Sequence, residues 1–206
     1  MTLQLRNWKV IAAIAGIVAV AVVTVVLVLG TSATPSDGTV AILNGEQIIT
    51  KEDVYRMQLK YWWTTGEDMS DALALEAVIM EKLLYREAEL GGHIPTIAET
   101  EHEWQVWTGS TLEQIKAQLE MEGLDYDERL EDFRTTLAIY RVQDALRATI
   151  EITEEEVWEL YEELTEAGEQ MGPFEEERSV LIDFLEYEKL QDLIREIRNN
   201  AVVEYK

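Results

Sequence analysis

One group of side chains in this sequence has the chemistry of a metal site but lacks the spacing of one. His93 and His102 lie on either side of Pro95, in a chain that turns at Gly91 and Gly92 just before His93, and Glu101 and Glu103 flank the second histidine. Zinc sites use closely spaced ligands with a recognisable pattern. The alternative explanation, a solvated helix face, fits these residues better.

The acidic residues Asp125, Asp127 and Glu128 lack the alternating oxygen ligands and the central glycine of a calcium-binding loop. They stand where a helix is predicted to begin, so capping and the helix dipole account for them. The chain of 206 residues has no cysteine, which excludes disulfides, thiolate zinc sites and a cysteine nucleophile. Serine nucleophile elbows and phosphate-binding loops are also missing from the sequence. We therefore expect no cofactor, no metal and no catalytic residue.

Aromatic and methionine side chains are better candidates, and their chemistry is binding. Adjacent residues of a helix cannot face the same way, so we expect at least one of Trp62 and Trp63 at the surface or at a groove edge. Such side chains can simply form the core. Together with Met57, Met69 and Met121 they can also line an adaptable apolar cleft for unfolded segments, because methionine and aromatic surfaces accept many partners. The candidate binding residues are Tyr61, Trp62, Trp63, Trp104, Trp107, Met121, Leu137 and Tyr140.

The charge of the chain limits its partners. Asp and Glu number 41 against 17 Lys and Arg, which gives a formal net charge of −24. Phosphate binding requires clustered cations, so we expect no nucleic-acid partner. An acidic surface of this kind repels itself and resists aggregation, and a high-salt habitat is a further explanation. The hydrophobic content of 47% is sufficient for one packed core.

The N-terminal region has the pattern of a membrane anchor. Residues 10–30 carry no charge, and a helix of that length spans the roughly 30 Å of a bilayer's hydrocarbon. Arg6 and Lys9 precede the segment, so the positive-inside rule places residues 1–9 in the cytoplasm and the rest outside. A cleaved signal peptide has the same polarity, and residues 31–33 offer a weak cleavage site. The apolar run is longer than the usual signal core, which favours an uncleaved anchor followed by a tether at residues 31–38.

The elements that would position the candidate residues follow from local signals. Residues 39–49 predict a β-hairpin, with alternating residues and an Asn44-Gly45 turn. Thr50 and Asp53 have capping-box spacing, so a helix begins at about Lys51. Further cap signals predict helices after Ser70, Thr96, Ser110, Asp125 and Thr153 and a last long helix over about residues 174–200.

The last residues of the chain predict a strand. Residues 201–205 read AVVEY and are rich in β-branched residues. A two-stranded hairpin is marginal by itself. We therefore expect the strand to pair with the N-terminal hairpin, so that the two ends of the domain close into one small sheet around a helical body.

Five segments follow one another along the chain: VAILNGEQIITKEDV, LEAVIMEKLLYREAELGG, TLEQIKAQLEMEGLDYDERLEDFRTTLAIYRVQDAL, ITEEEVWELYEE and PFEEERSVLIDFLEYEKLQDLIREIRNNAVVEY. In this order they resemble the N-terminal chaperone domain of the SurA and PrsA family of extracytoplasmic foldases. The resemblance implies a mainly α, SurA N-terminal-like domain at residues 39–206, with a small β-sheet formed by the hairpin and the C-terminal strand.

The chain departs from that family at one place. Family members commonly carry one or two parvulin prolyl-isomerase domains before the closing helix. Here the interval is Ala167 to Pro173, seven residues, and the short linker at 168–173 stands in place of a catalytic domain. Prolyl isomerase activity is therefore not expected.

Two functions follow from the resemblance and the predicted anchor. The first is a membrane-anchored holdase, outside the cytoplasmic membrane, that binds unfolded or extended polypeptide clients. The second is a structural or adaptor module that docks to one folded partner in an envelope complex. Membrane contact is expected through residues 10–30, and a homo-oligomer is compatible with either function.

Overall fold

The computed structural model describes residues 38–206. The predicted cytoplasmic N-terminus, the anchor at residues 10–30 and the tether up to residue 37 lie outside the described residues. None of the helices between residues 38 and 206 combines the length and the apolar character that a membrane crossing requires.

A small antiparallel sheet joins the two ends of the described chain. Its strands are β1 (Thr39–Leu43), β2 (Gln47–Thr50) and β3 (Val203–Tyr205), in the order β2-β1-β3. The predicted pairing of the C-terminal strand with the hairpin is confirmed, because β3 pairs with β1.

The turn between β1 and β2 also holds the closing strand. Asn44 and Gly45 have φ of 51° and 74°, the left-handed conformations that a tight hairpin turn with matching twist requires. Asn44 donates its backbone N–H to the carbonyl of Val202 at 2.7 Å, and its side-chain Oδ1 accepts from the Val202 N–H at 2.9 Å. One residue therefore forms the hairpin and positions the chain that enters β3.

Seven helices lie between β2 and β3, so the expected mainly α fold with a small sheet is confirmed for the described residues. Predicted N-caps at Thr50, Thr96 and Thr153 each form a capping box with the acidic residue three positions later. The helices are α1 (Lys51–Thr65), α2 (Asp71–Gly91), α3 (Ile97–Thr108), α4 (Leu112–Glu122), α5 (Tyr126–Arg147), α6 (Glu154–Glu166) and α7 (Phe174–Asn199).

The predicted cap of α4 was wrong by one residue. Thr111, rather than Ser110, is the N-cap, and it exchanges hydrogen bonds with Gln114. Both pairs have capping-box spacing. Ser110 instead donates its backbone N–H to the hydroxyl of Thr108, at 3.3 Å, in the turn that follows α3.

Helix α2 is the centre of the core. It packs against α1, α5 and α7, and its buried residues contribute to two apolar clusters. The first joins Ile79 of α2 to Ile49 of the sheet and Val54 of α1, and the second joins α2 to α5 and α7. The closing helix is also held by charge, because the Arg198 guanidinium of α7 bonds to both carboxylate oxygens of Glu76 on α2.

Candidate functional site

A chain of aromatic rings connects α3 with α5. Trp104 stacks on Phe133 with ring centroids 5.4 Å apart. Trp107 packs edge-on against the same Phe133 ring, with centroids 5.3 Å apart, and lies tilted against the ring of Tyr140 at 5.6 Å. These distances are in the range in which aromatic pairs stabilise each other beyond simple burial. These ring contacts therefore hold the aromatic side chains of α3 and α5 in place.

Tyr126 fixes the less exposed end of this aromatic cluster. Its ring lies 6.0 Å from Trp104, and its hydroxyl donates to Glu101 Oε1 at 2.8 Å. Lys116 Nζ of α4 lies 4.3 Å from the centre of the same ring, a cation–π distance. Burial, together with the hydrogen bond to the Glu101 carboxylate, raises the pKa of Tyr126 to about 12. Tyr126 thus stays protonated and keeps donating at any physiological pH.

The outer end of the cluster is open to solvent. Trp107 is 55% exposed and Tyr140 is 48% exposed. We call these two residues the α3–α5 surface. Phe133 and the rings around it hold these side chains in place. A partner that binds this surface therefore gains apolar contact at a low cost in side-chain entropy.

A second apolar site lies on α1, at the turn that follows it. Tyr55, Leu59 and Trp62 recur at helical spacing, all three are exposed, and Asp68 and Met69 complete a cleft of about 530 Å³. We call it the α1 cleft.

Gln58 is the residue that holds the turn against α1. Its side-chain amide donates to the carbonyl of Met69 at 2.9 Å and to Asp71 Oδ1 at 2.8 Å. These bonds fix residues 68–71 against the helix, so the wall of the cleft that carries Asp68 and Met69 is preformed.

The structure distributes the sequence-predicted binding residues over several environments. Trp62 lies in the α1 cleft, whereas Trp104, Trp107 and Tyr140 belong to the aromatic cluster of α3 and α5. Met121 is 77% exposed on α4, which packs against both α3 and α5. Their assignment to client binding stays a prediction.

Two of the other predicted residues, Tyr61 and Leu137, offer less to a partner. Tyr61 is half-buried. Leu137 is 6% exposed, because α5 is contacted by α2, α3, α4 and α7 and this side chain faces the interior. The side chain of Trp63 lies outside what the structure describes.

A third group of rings lies where α6 meets α7. Phe174 packs edge-on against Trp158 at 4.8 Å and against Tyr161 at 5.4 Å. The Tyr161 hydroxyl donates to the carbonyl of Gly172 at 2.9 Å. These contacts fix the short connection between α6 and α7, at residues 167–173, against both helices.

Sequence reasoning missed several residues that build these sites. Tyr126 and Phe133 support the α3–α5 surface, and Tyr55 and Asp68 line the α1 cleft. One signal was present, since Tyr55, Leu59 and Trp62 follow an i, i+4, i+7 pattern that predicts one helix face. Leu59 lies on this exposed face, whereas Val54 of the same helix is buried.

Within residues 38–206, no three histidine, aspartate or glutamate side chains converge in an arrangement that could hold a metal ion.

Comparison with known proteins gives one finding about the fold. No family model and no curated protein matches the sequence. Among solved structures, the chain is similar to one from work on the virulence factor PEB4 and the periplasmic protein Cj1289, two structurally related SurA-like chaperones in the human pathogen Campylobacter jejuni. The TM-score is 0.59 at 10% identity, and the alignment covers 82% of this chain and 99% of the other. At this identity the likeness shows the fold alone, and the fold is SurA-like.

Proposed function

We propose that this protein is a membrane-anchored extracytoplasmic holdase, a chaperone that binds unfolded or partly folded polypeptides without chemical catalysis. The observation that carries the proposal is the exposure of Trp107 and Tyr140 on a rigid aromatic cluster of a SurA-like fold. Large exposed aromatic side chains that rest on other rings are suited to binding many sequences. Their contribution to binding comes from the apolar surface they bury rather than from a specific pattern of hydrogen bonds.

The proposed activity excludes prolyl isomerisation. The connection between α6 and α7 comprises residues 167–173, and it is bonded to Tyr161 and, through the Gly172 N–H, to Glu177. So short a connection leaves no room for a catalytic domain at the position where the SurA and PrsA family commonly carries one.

The proposed location follows from the sequence. Residues 10–30 serve as a single membrane-spanning anchor with residues 1–9 inside, so the SurA-like domain lies outside the cytoplasmic membrane. The high negative charge of the chain keeps it soluble while it carries exposed apolar side chains.

An aggregation assay tests the proposal against the adaptor alternative. Several unrelated proteins are unfolded by heat or by dilution from denaturant, and their light scattering is followed with and without the purified full-length chain. A holdase suppresses the scattering of most of them at a low molar excess. An adaptor for one folded partner protects none of them, and that result would refute the proposed function.

A further inference from the structure

We propose that the α1 cleft accepts a cationic side chain, arginine or lysine, from an extended client segment whose apolar neighbours lie along Tyr55, Leu59 and Trp62. The inference rests on the proposed function and adds to it a chemical preference, for segments in which a positive charge stands next to apolar residues.

The shape of the cleft fits a few side chains of a segment. Its volume of about 530 Å³ lies within the roughly 300–1,000 Å³ of sites that bind small ligands. The apolar wall is the exposed stripe of Tyr55, Leu59 and Trp62, and Met69 lies half-buried at its edge. A long cationic side chain can lay its methylene groups on such a wall while its charged head reaches a polar rim.

The charged group at that rim is a carboxylate. Asp68 is exposed and lines the cleft, and it is the one ionisable acid or base among the lining residues apart from the phenol of Tyr55. The two cations nearest to the cleft along α1 are already engaged, because Lys60 pairs with Glu81 at 2.9 Å and Arg56 pairs with Glu128 at 3.0 Å. A cationic ligand would therefore meet an acidic rim.

The end of α1 adds to this preference. The last turn of α1 carries no basic residue, and the Gly66 N–H caps the Trp62 carbonyl at 2.7 Å. The C-terminal end of a helix is the negative end of its dipole and favours cations. The exposed rings of Trp62 and Tyr55 favour the same charge, since a cation over an aromatic face is attracted by the ring's quadrupole.

Matched peptides test the inference. The probes are three labelled, acetylated and amidated heptapeptides that are identical except for their central residue, which is arginine, glutamine or glutamate between leucine and phenylalanine. Their affinities for the purified full-length chain are measured by fluorescence anisotropy at low and at high salt. We expect the arginine peptide to bind about fivefold more tightly than the glutamine peptide, and the advantage to shrink as salt screens the charges.

Two variants locate the preference. Asp68→Asn should remove most of the arginine advantage and leave the affinity for the glutamine peptide unchanged. Glu67→Gln is the matched control, because it removes the same charge from an exposed residue next to Asp68 that does not line the cleft. Trp62→Ala should weaken the binding of both peptides, with the unfolding midpoint measured to show that the domain stays folded.

Each outcome decides a separate question. Equal affinity for the arginine and glutamine peptides, an arginine advantage that survives Asp68→Asn, or no binding of any peptide would overturn the inference, even if the chain suppresses aggregation. Conversely, a preference for arginine that depends on Asp68, without any suppression of aggregation, would support the cationic cleft and refute the proposed holdase function.

Discussion

Trp107 and Leu137 lie in contrasting environments on two helices that pack together. Trp107 keeps just over half of its surface in solvent and rests on Phe133 and Tyr140, whereas Leu137 of α5 is almost fully buried. Exposed apolar surface is available to a client, and buried apolar surface stabilises the fold. The same substitution at the two positions should therefore have opposite consequences.

We predict that Trp107→Ala weakens the capture of an unfolded client while it lowers the free energy of unfolding by only about 1 kcal/mol, the order of the ring contacts it removes. Leu137→Ala should cost about 2–5 kcal/mol, the usual range for a buried leucine, and leave capture by the folded fraction unchanged. Denaturant midpoints and aggregation suppression, measured on both variants, check this. A large drop in the denaturant midpoint of Trp107→Ala would show instead that this residue stabilises the core.

The sequence predicted least well which individual side chains of the candidate site are exposed. Leu137 was a candidate because it is apolar and lies on a long helix, but the face of α5 that is buried depends on the four helices packed around it. Trp62 and Met69 were expected to line an apolar cleft, but the position of the α1 cleft was missed because its wall comes from two separate segments, the helix and the turn at Asp68 and Met69, which Gln58 holds together. Neither arrangement is encoded in local periodicity.

Helix ends were predicted well because their signals are local. Capping boxes at Thr50, Thr96 and Thr153 need only two residues three positions apart, and all three form as expected. The error at α4 arose where two overlapping pairs satisfied the same pattern. Tertiary contacts then add to these local caps, as they do at the start of α6.

The cap of α6 is also an anchor point for α7. Lys189 Nζ of α7 donates to Glu156 Oε1 at 2.5 Å and to the carbonyl of Glu151 at 2.7 Å. The hydrogen bond from Lys189, together with that from the Thr153 backbone, lowers the pKa of Glu156 to about 2. A depressed carboxylate pKa stabilises the fold above the unfolded value and loses this contribution as pH falls through the folded value.

We predict that the packing of α6 on α7 weakens as pH falls from about 4.5 to about 2, the interval between the unfolded and folded pKa of Glu156. Lys189→Met removes the main cause of the shift, so this variant should be less stable at neutral pH and should lose less stability on acidification than the wild type. Arg195→Met is a control, because its ion pair with Asp192 stays within α7. Unfolding curves at several pH values give the comparison, and identical acid dependence in wild type and Lys189→Met would contradict the prediction.

At the scale of the whole molecule, the first and last elements of the described chain form one sheet. Strand β3 pairs with β1, and the Lys206 N–H donates to the carbonyl of Val40 at 3.0 Å. The buried faces of Leu43 and Ile49 pack on α2, so the sheet and the helical core share one cluster. This closure could be predicted from the sequence, because a marginal hairpin and a lone strand each need a partner.

We predict that deletion of residues 201–206 lowers the stability of the entire domain in one cooperative transition, because β1 loses one of its two neighbouring strands and the end of α7 loses its attachment to the sheet. Asn44→Gly is a milder variant that tests the same closure. It keeps the left-handed turn but removes the side-chain acceptor for the Val202 N–H, which should lower the free energy of unfolding by about 1 kcal/mol. Thermal unfolding measures both. An unchanged transition in the deletion variant would show that the closure contributes nothing.

The absence of an inserted domain between α6 and α7 gives a prediction about activity. The purified full-length chain should not accelerate cis–trans isomerisation of a proline-containing peptide above the uncatalysed rate, which has a time constant of tens to hundreds of seconds at 25 °C. Acceleration that persists after contaminating isomerases have been removed would contradict this part of the proposed function.

The most direct test of the central claim is site-specific photo-crosslinking in the full-length chain. A photoreactive residue is placed in turn at Trp107, Met121 and Trp62 and, as a control, at Asp183, an exposed position on α7. Several unrelated proteins are then added, each in a folded and an unfolding state. We expect unfolding proteins to crosslink at the first three positions well above the control and folded proteins not to. Crosslinks at Asp183 as strong as at the other positions, or crosslinks to only one folded protein, would refute client binding at these surfaces.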